Sequence, residues 1–321
     1  MKETIKALIS PIEKLLDTVS RAIGKAYEPT NIRKIADAKA HEINVIADAM
    51  RNNVDIPIIY DSSKVTIDTG NYEEIAKRAS TRLAYQEIIK QQNIENVVNN
   101  AYEELKESEK VSNEPVDPDW VLRFFNSVEN ISDEDMQKVW ARILAGEIKT
   151  PNTYSYRTME KLKNMTQKEV ELFQKIAEIS LYNGNIYFIF FETSLLSKYD
   201  LKFSDILLLE ECGLISSQVL SLNFTINNKE EILYNNNKFC GSASNIKDEN
   251  REISSEVYVF TESGMQLLRA ISPKRESRYI LDCLKDFTRR NKGINTKAHE
   301  ITTIDSEGKI TYLIDNILEK E

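Results

Sequence analysis

The stretch Cys212–Ile226, CGLISSQVLSLNFTI, decides how this chain is read. Before it, residues 194–212 carry apolar positions at helical spacing, and Gly213 supplies the backbone freedom that ends a helix. Within it, Leu220, Leu222, Phe224 and Ile226 alternate with polar residues, the period of a strand with one buried face. Ile186–Phe191 precedes the helix as a candidate buried strand. After an Asn-rich polar stretch, 227–255, Val257 and Val259 mark one face of another strand. Thr261-Glu262-Ser263-Gly264 then opens a helix bearing Met265, Leu267, Leu268 and Ile271. Helix, Gly-Leu-Ile exit, strand, polar wing, strand, helix is the order of a winged-helix module, expected over 183–272.

Outward from that module the chain reads as helix. Residues 113–182 form a compact helical unit. Trp120, Leu122, Phe124 and Phe125 supply its apolar cluster, and capping boxes are expected at Ser132/Asp135 and Thr166/Glu169. Pro115 and Pro118 separate it from a first region, 1–112. There, nothing breaks a helix between about Asn71 and Ser108, roughly 55 Å of rise, a length that implies a neighbour or a second subunit. A β-branched insertion, 54–69, reads as a short hairpin or ordered loop. Ser10-Pro11 with Glu13 caps an earlier helix of about 11–25, whose stripe includes Leu8, Ile12, Leu15, Leu16 and Val19. That stripe is a candidate either for membrane contact or for core. After the module, 273–321 adds a basic helix of about 275–291. A hairpin follows, with Ile301 and Ile304 facing Ile310 and Leu313. The fold class expected is mainly α with a smaller α+β part.

The chemistry is read mostly by exclusion. With 321 residues and a net charge of −9, the chain lacks a whole-molecule electrostatic grip on nucleic acid. Three scattered cysteines offer neither a disulfide framework nor a CxxC site. Neither a long apolar run nor a leader cleavage site is visible, so a cytoplasmic protein is expected, with peripheral contact at the inner membrane face as an option. No phosphate loop, dinucleotide fingerprint, HExxH or GxSxG occurs, and His41 and His299 lack ligand-spaced companions. The nuclease-like string Glu147-Ile148-Lys149, with Asp133 and Asp135 upstream, falls on helix rather than at strand ends. No catalytic residue, cofactor or metal is assigned. Arg275, Arg278, Arg289, Arg290 and Lys292 form a candidate nucleic-acid contact, with a solvated helix face as the plainer reading. The helix of 194–212 is a poor reader of DNA, because acidic residues outnumber Lys198 and Lys202.

Several strings in this order carry a family resemblance: IGKAYEPTNIRKIADAKA (23–40), QQNIENVVNNA (91–101), DPDWVLRFF (117–125), ISDEDMQKVWARILAGEIKTPNTYSYRTMEKLKNMTQKEVELF (131–173) and VYVFTESGMQLL (257–268). They resemble the uncharacterised bacterial family catalogued as domain of unknown function 2806, over about residues 10–272. In outline the layout is also similar to the abortive-infection alpha proteins, which are associated with defence against phage. Neither likeness brings catalytic residues. The most specific block, Trp140 to Glu147 followed by Ser155, Arg157 and Thr158, reads as structure. Trp140 and Leu144 should be buried on one helix face, Gly146 should let the helix end turn, and Glu147 could pair with Arg157. The function expected is therefore a non-enzymatic protein of phage defence or stress response, a homo-oligomer acting by self-association and binding of an unidentified protein. A nucleic-acid-binding regulator using the 269–292 patch is the alternative, and weak peripheral membrane contact is a further option.

Overall fold

In the computed structural model, residues 10–23, 69–108, 111–271, 273–274, 277–305, 309–313 and 317 are described. Leu8, His41, Arg275 and almost all of the 54–69 insertion lie outside them. Contacts divide the chain into two compact units, Met1–Tyr154 and Ser155–Glu321. The division falls inside the 113–182 segment.

The first unit contains four described helices: α1 (Pro11–Ile23), α2 (Thr69–Leu105), α3 (Pro118–Val128) and α4 (Glu134–Lys149). The centre is α4, with Trp140, Ile143, Leu144 and Ile148 all fully buried. Its N-cap is Asp133, whose carboxylate accepts the Met136 N–H at 2.9 Å, one residue later than the expected Ser132 cap. Pro118 starts α3, where a missing N–H costs nothing, and Asp117 caps it. Trp120 stacks on Phe124, whose edge meets Trp140 at a centroid distance of 5.6 Å. The C-terminal part of α2 buries Val97, Val98, Ala101 and Leu105, and α1 buries Leu15 and Val19.

In the second unit, α5 (Tyr156–Lys163) and α6 (Gln167–Glu178) lead into an antiparallel sheet of eight strands. The Thr166/Glu169 capping box forms on α6 as expected. The strands are β1 (Leu181–Tyr182), β2 (Tyr187–Phe190), β3 (Ile215–Ile226), β4 (Glu231–Asn235), β5 (Phe239–Asn245), β6 (Arg251–Phe260), β7 (Ile294–Ile304) and β8 (Ile310–Tyr312). Their spatial order is β3-β6-β2-β1-β4-β5-β7-β8.

Two expectations change. The helix of 194–212 is two helices, α7 (Thr193–Lys198) and α8 (Phe203–Glu211). Asp200 takes a left-handed φ of 51° between them, and Leu201 is buried at the break, so the turn is anchored by packing. The polar 227–255 stretch, expected as a wing between two strands, contains β4, β5 and the start of β6. Of its apolar residues, Leu233, Tyr234, Cys240, Ala243 and Ile253 are buried and Ile232 and Ile246 exposed, while Asn235 and Asn236 side chains accept turn N–H groups.

The helices α9 (Glu262–Ile271) and α10 (Ser277–Arg290) complete the unit. The buried residues of α10 include Leu284 and Phe287. Tyr234 is ringed edge-on by Phe188, Phe190 and Phe224, and Phe224 meets Phe287. Gly241 lets Leu284 approach, since a Cβ there would sit 2.9 Å from its methyl carbon. The hairpin expected at the C-terminal end is present, with Ile304 opposite Ile310. Its first strand also pairs with β5 along seven residue pairs, from Phe239↔Glu300 to Asn245↔Ile294.

Gly264, in the first turn of α9, packs against backbone. A Cβ would lie 2.0 Å from the Leu214 carbonyl oxygen, which also accepts the Thr261 N–H at 2.9 Å. Gly264→Ala should therefore destabilise the chain by about 3 kcal/mol, more than the usual helix gain from alanine. Urea unfolding of the two proteins measures the difference.

Candidate functional site

The block singled out by sequence forms a clasp at the end of α4. Gly146 does not end the helix, which continues to Lys149; its missing side chain makes room for the Tyr154 ring, 2.7 Å from where a Cβ would be. The Tyr154 carbonyl accepts the Trp120 Nε1–H at 2.7 Å. Glu147 is 1% exposed, and its two oxygens accept the backbone N–H groups of Asn152 (2.6 Å) and Tyr154 (3.0 Å). The carboxylate thus meets backbone where a pair with Arg157 was expected. Arg157 is exposed on the first turn of α5. Ser155 caps that helix, and the buried Thr158 donates its hydroxyl to Gln266 at 2.6 Å.

Beside the clasp, Lys14 of α1 is buried, and its ammonium donates to the carbonyls of Ser112 and Ile148, each at 2.8 Å. A cation at the carbonyl end of α4 complements the helix dipole. Burial pushes the Lys14 pKa down, against the pull of Glu114 and Glu147. Burial likewise lifts the Glu147 carboxyl above the usual carboxylate range, with the Tyr154, Asn152 and Thr153 N–H groups and Lys14 pulling the other way. These contacts join α1, the 112–116 segment, α4 and the 150–154 turn. They are structural chemistry.

The remaining sequence candidates are placed plainly. Leu15 and Val19 are fully buried in the first unit, while Ile12 and Leu16 are half-buried. Among the described residues, no helix is long and apolar enough to cross a membrane. On α10, Arg289 and Arg290 both pair with Asp286, and Arg290 also reaches Glu192 at 3.1 Å. Arg278 and Lys292 are exposed. Arg289 and Arg290 are thus partly neutralised within the protein.

One constellation was invisible in the spacing. The β5–β7 register puts Cys240 opposite His299 and Ser242 opposite Lys297. His299 Nε2 lies 2.8 Å from Glu230 Oε1 and 3.2 Å from Ser242 Oγ, and Ser242 Oγ donates to the same Glu230 oxygen. A serine–histidine–acid relay needs serine and acid on opposite imidazole nitrogens. Here both meet Nε2, and Ser242 is fully buried, so the geometry is that of a structural network. Burial pushes the Glu230 carboxyl up, but Lys297, Ser242 and His299 outweigh it and hold it below the usual range. The thiols are poor nucleophiles: burial raises Cys240 to about 11, and burial with Glu169 raises Cys212 to about 11. Among the described residues, no three His, Cys, Asp or Glu side chains could hold a metal ion. A cleft of about 470 Å³ beside Tyr182, Tyr187 and Arg269 is lined by asparagines that hold turns, as when Asn183 Oδ1 accepts the Asn185 and Ile186 N–H groups.

The surfaces left over are apolar. Between Glu74 and Gln92 no side chain of α2 is buried, and Ile75 (51%), Leu83 (53%) and Tyr85 (65%) stand in solvent. In the second unit, Phe203 (55%) and Leu207 (40%) are exposed four residues apart on α8. Exposed apolar side chains of this kind are candidate contact surfaces.

Two predictions follow from the first unit. Leu15→Ala should cost about 2–5 kcal/mol by emptying core, read by denaturant unfolding alongside liposome flotation of the wild type, which should show no binding. Because Glu147 has a raised carboxyl pKa, the folded state holds its proton more tightly than the unfolded chain. Its contribution to stability is complete below the unfolded pKa and is lost as pH rises through the folded one. Glu147→Gln should remove that downward limb from a stability-versus-pH profile. It should also cost about 1–3 kcal/mol, because an amide NH2 would face a backbone N–H.

Searches found no similar curated protein and no similar solved structure. A family profile described as "Protein of unknown function (DUF2806)" matches residues 77–285, well over half of the chain. That span runs from the exposed part of α2 through the clasp and most of the sheet to α10, and the chain belongs to the DUF2806 family.

Proposed function

We propose that this is a non-enzymatic, cytoplasmic bacterial protein that works by associating with itself and holding a protein partner, in phage defence or a stress response. The observation that carries the association is the free N-terminal half of α2. Residues 74–92 form five turns of helix without one buried side chain, while residues 93–105 pack in the first unit. A helical stretch of that length with so little packing, tied near its end by Lys90 to Glu129 at 3.4 Å, is marginal in water and is stabilised by a neighbour. Ile75, Ala79 and Leu83 recur every four residues and offer that neighbour an apolar stripe.

The winged-helix reading of the second unit belongs here too. It is supported by the succession β2, α7, α8, β3, β6 and by the spatial order β2-β6-β3. On this reading α8 takes the place of a DNA-reading helix. It presents Phe203 and Leu207 with Asp205 and Glu211, a surface suited to protein rather than to phosphate. The phage-defence setting rests on the outline shared with the abortive-infection alpha proteins. The nucleic-acid alternative is weaker because Arg289 and Arg290 are engaged by Asp286.

Sedimentation equilibrium across a concentration range tests the association. The wild type should self-associate at tens of micromolar. The double variant Ile75→Lys, Leu83→Lys should remove the part of the association that α2 carries while leaving the unfolding midpoint unchanged, since both side chains are already exposed. A wild type that stays monomeric contradicts the proposal.

A further inference from the structure

The first strand of the sheet raises a separate question of pairing. Among the described residues β3 pairs only with β6, and so forms one edge of the sheet. Its direction of hydrogen bonding can be worked out. The Phe191 N–H donates to the Glu256 carbonyl at 3.0 Å, so Glu256 faces β2. Ser221, opposite Glu256, therefore turns its own N–H and C=O away from β6, and Asn223 and Thr225 follow at the same period. The far end of the strand agrees: two residues beyond Thr225, the Asn227 carbonyl faces outward and accepts the Asn245 N–H at 2.6 Å. At the near end Ser217 is held by Glu210, which leaves Gln218–Thr225 as the open part of the edge.

This edge lacks the usual protection. Ile215–Ile226 contains no charged residue and no proline, and its bulge lies before Leu220, at the start of the strand. Ser221, Asn223 and Thr225 are all exposed, and Val219 and Leu220 are 39% and 46% exposed. We infer that β3 is a self-pairing edge, docking antiparallel against β3 of a second copy about a two-fold axis at Asn223. In that register Asn223 faces its own copy, and Ser221 faces Thr225. Each outward residue then exchanges both backbone hydrogen bonds with its mate. Leu220 comes beside Ile226 of the second copy, and an uncharged strand sets no like charges against each other. The opposite edge, β8, is three residues long, so pairing closes at a dimer instead of extending into a fibre. This surface is distinct from the α2 contact.

The test uses full-length protein carrying Ile75→Lys and Leu83→Lys, so that any remaining association does not involve the exposed half of α2. Two further variants probe the edge. Asn223→Pro deletes an outward N–H without touching the β6 ladder. Asn223→Lys keeps every backbone group but sets two ammonium groups together on the axis. Sedimentation velocity and amide hydrogen exchange of residues 218–226 are followed against concentration. The expected result is a dimer whose 218–226 amides become protected as concentration rises. Both Asn223 variants should weaken it by about tenfold or more, and salt should partly restore the lysine variant. Should Asn223→Pro fail to fold, the lysine variant and its salt dependence decide. Fast exchange at every concentration overturns the inference, as does a dimer indifferent to both variants. Loss of association from the α2 changes alone would likewise remove the edge and leave the α2 contact standing.

Discussion

A single buried carboxylate organises the first unit. Glu147 sits inside protein, where a charge is costly unless every oxygen is used, and the N–H groups of a turn that follows five to seven residues later offset part of that cost. Those bonds fix Asn152 in a left-handed conformation and bring Tyr154 back over Gly146. Tyr154 in turn gives Trp120 its hydrogen-bond acceptor, which sets the aromatic stack between α3 and α4. Lys14 supplies a nearby opposite charge while tying α1 to the carbonyl end of α4. Remove the carboxylate and the turn loses its anchor, and with it the seat of Tyr154.

This arrangement explains which parts of the sequence could be read. Trp140 and Leu144 announce burial by their spacing, and both are fully buried. The Thr166/Glu169 capping box is a local signal and forms where the sequence shows it, while the cap of α4 falls at Asp133, one residue after Ser132. The use made of Gly146 and Glu147 was not local in that sense. Gly146 reads as a helix stop, yet it is a notch for a ring eight residues on. Glu147 has a cation in reach of sequence reasoning, Arg157, but a carboxylate near the end of a buried helix is served as well by backbone N–H groups, which no spacing rule displays. Lys14 reads as one cation among several on a polar face and turns out to be buried.

The same limit applies to the sheet. Alternation revealed β3, and turn residues revealed the β7–β8 hairpin, but nothing local says that β7 also pairs with β5. Because that pairing links residues some sixty positions apart, His299, Glu230 and Ser242 looked unrelated. The Asn-rich 227–255 stretch reads as a polar wing because its apolar residues are few, although Leu233, Tyr234, Cys240, Ala243 and Ile253 are buried. What the two units share is an emphasis on surface. Among the described residues, most of their buried polar side chains are hydrogen-bonded, the Trp140 Nε1–H and the Tyr234 and Tyr258 hydroxyls being the exceptions, and exposed apolar side chains on α2 and α8 stand beside the backbone edge of β3.

The central structural claim is that Glu147 and Lys14 act together as the anchor of the first unit. A double-mutant cycle in urea, with Lys14→Met, Glu147→Gln and the pair, tests it directly. The account predicts that each single change costs about 2 kcal/mol and that the two are coupled by about 1 kcal/mol or more, because each removes a charge that supports the other. Single changes that cost little, or effects that simply add to within about 0.5 kcal/mol, would contradict it.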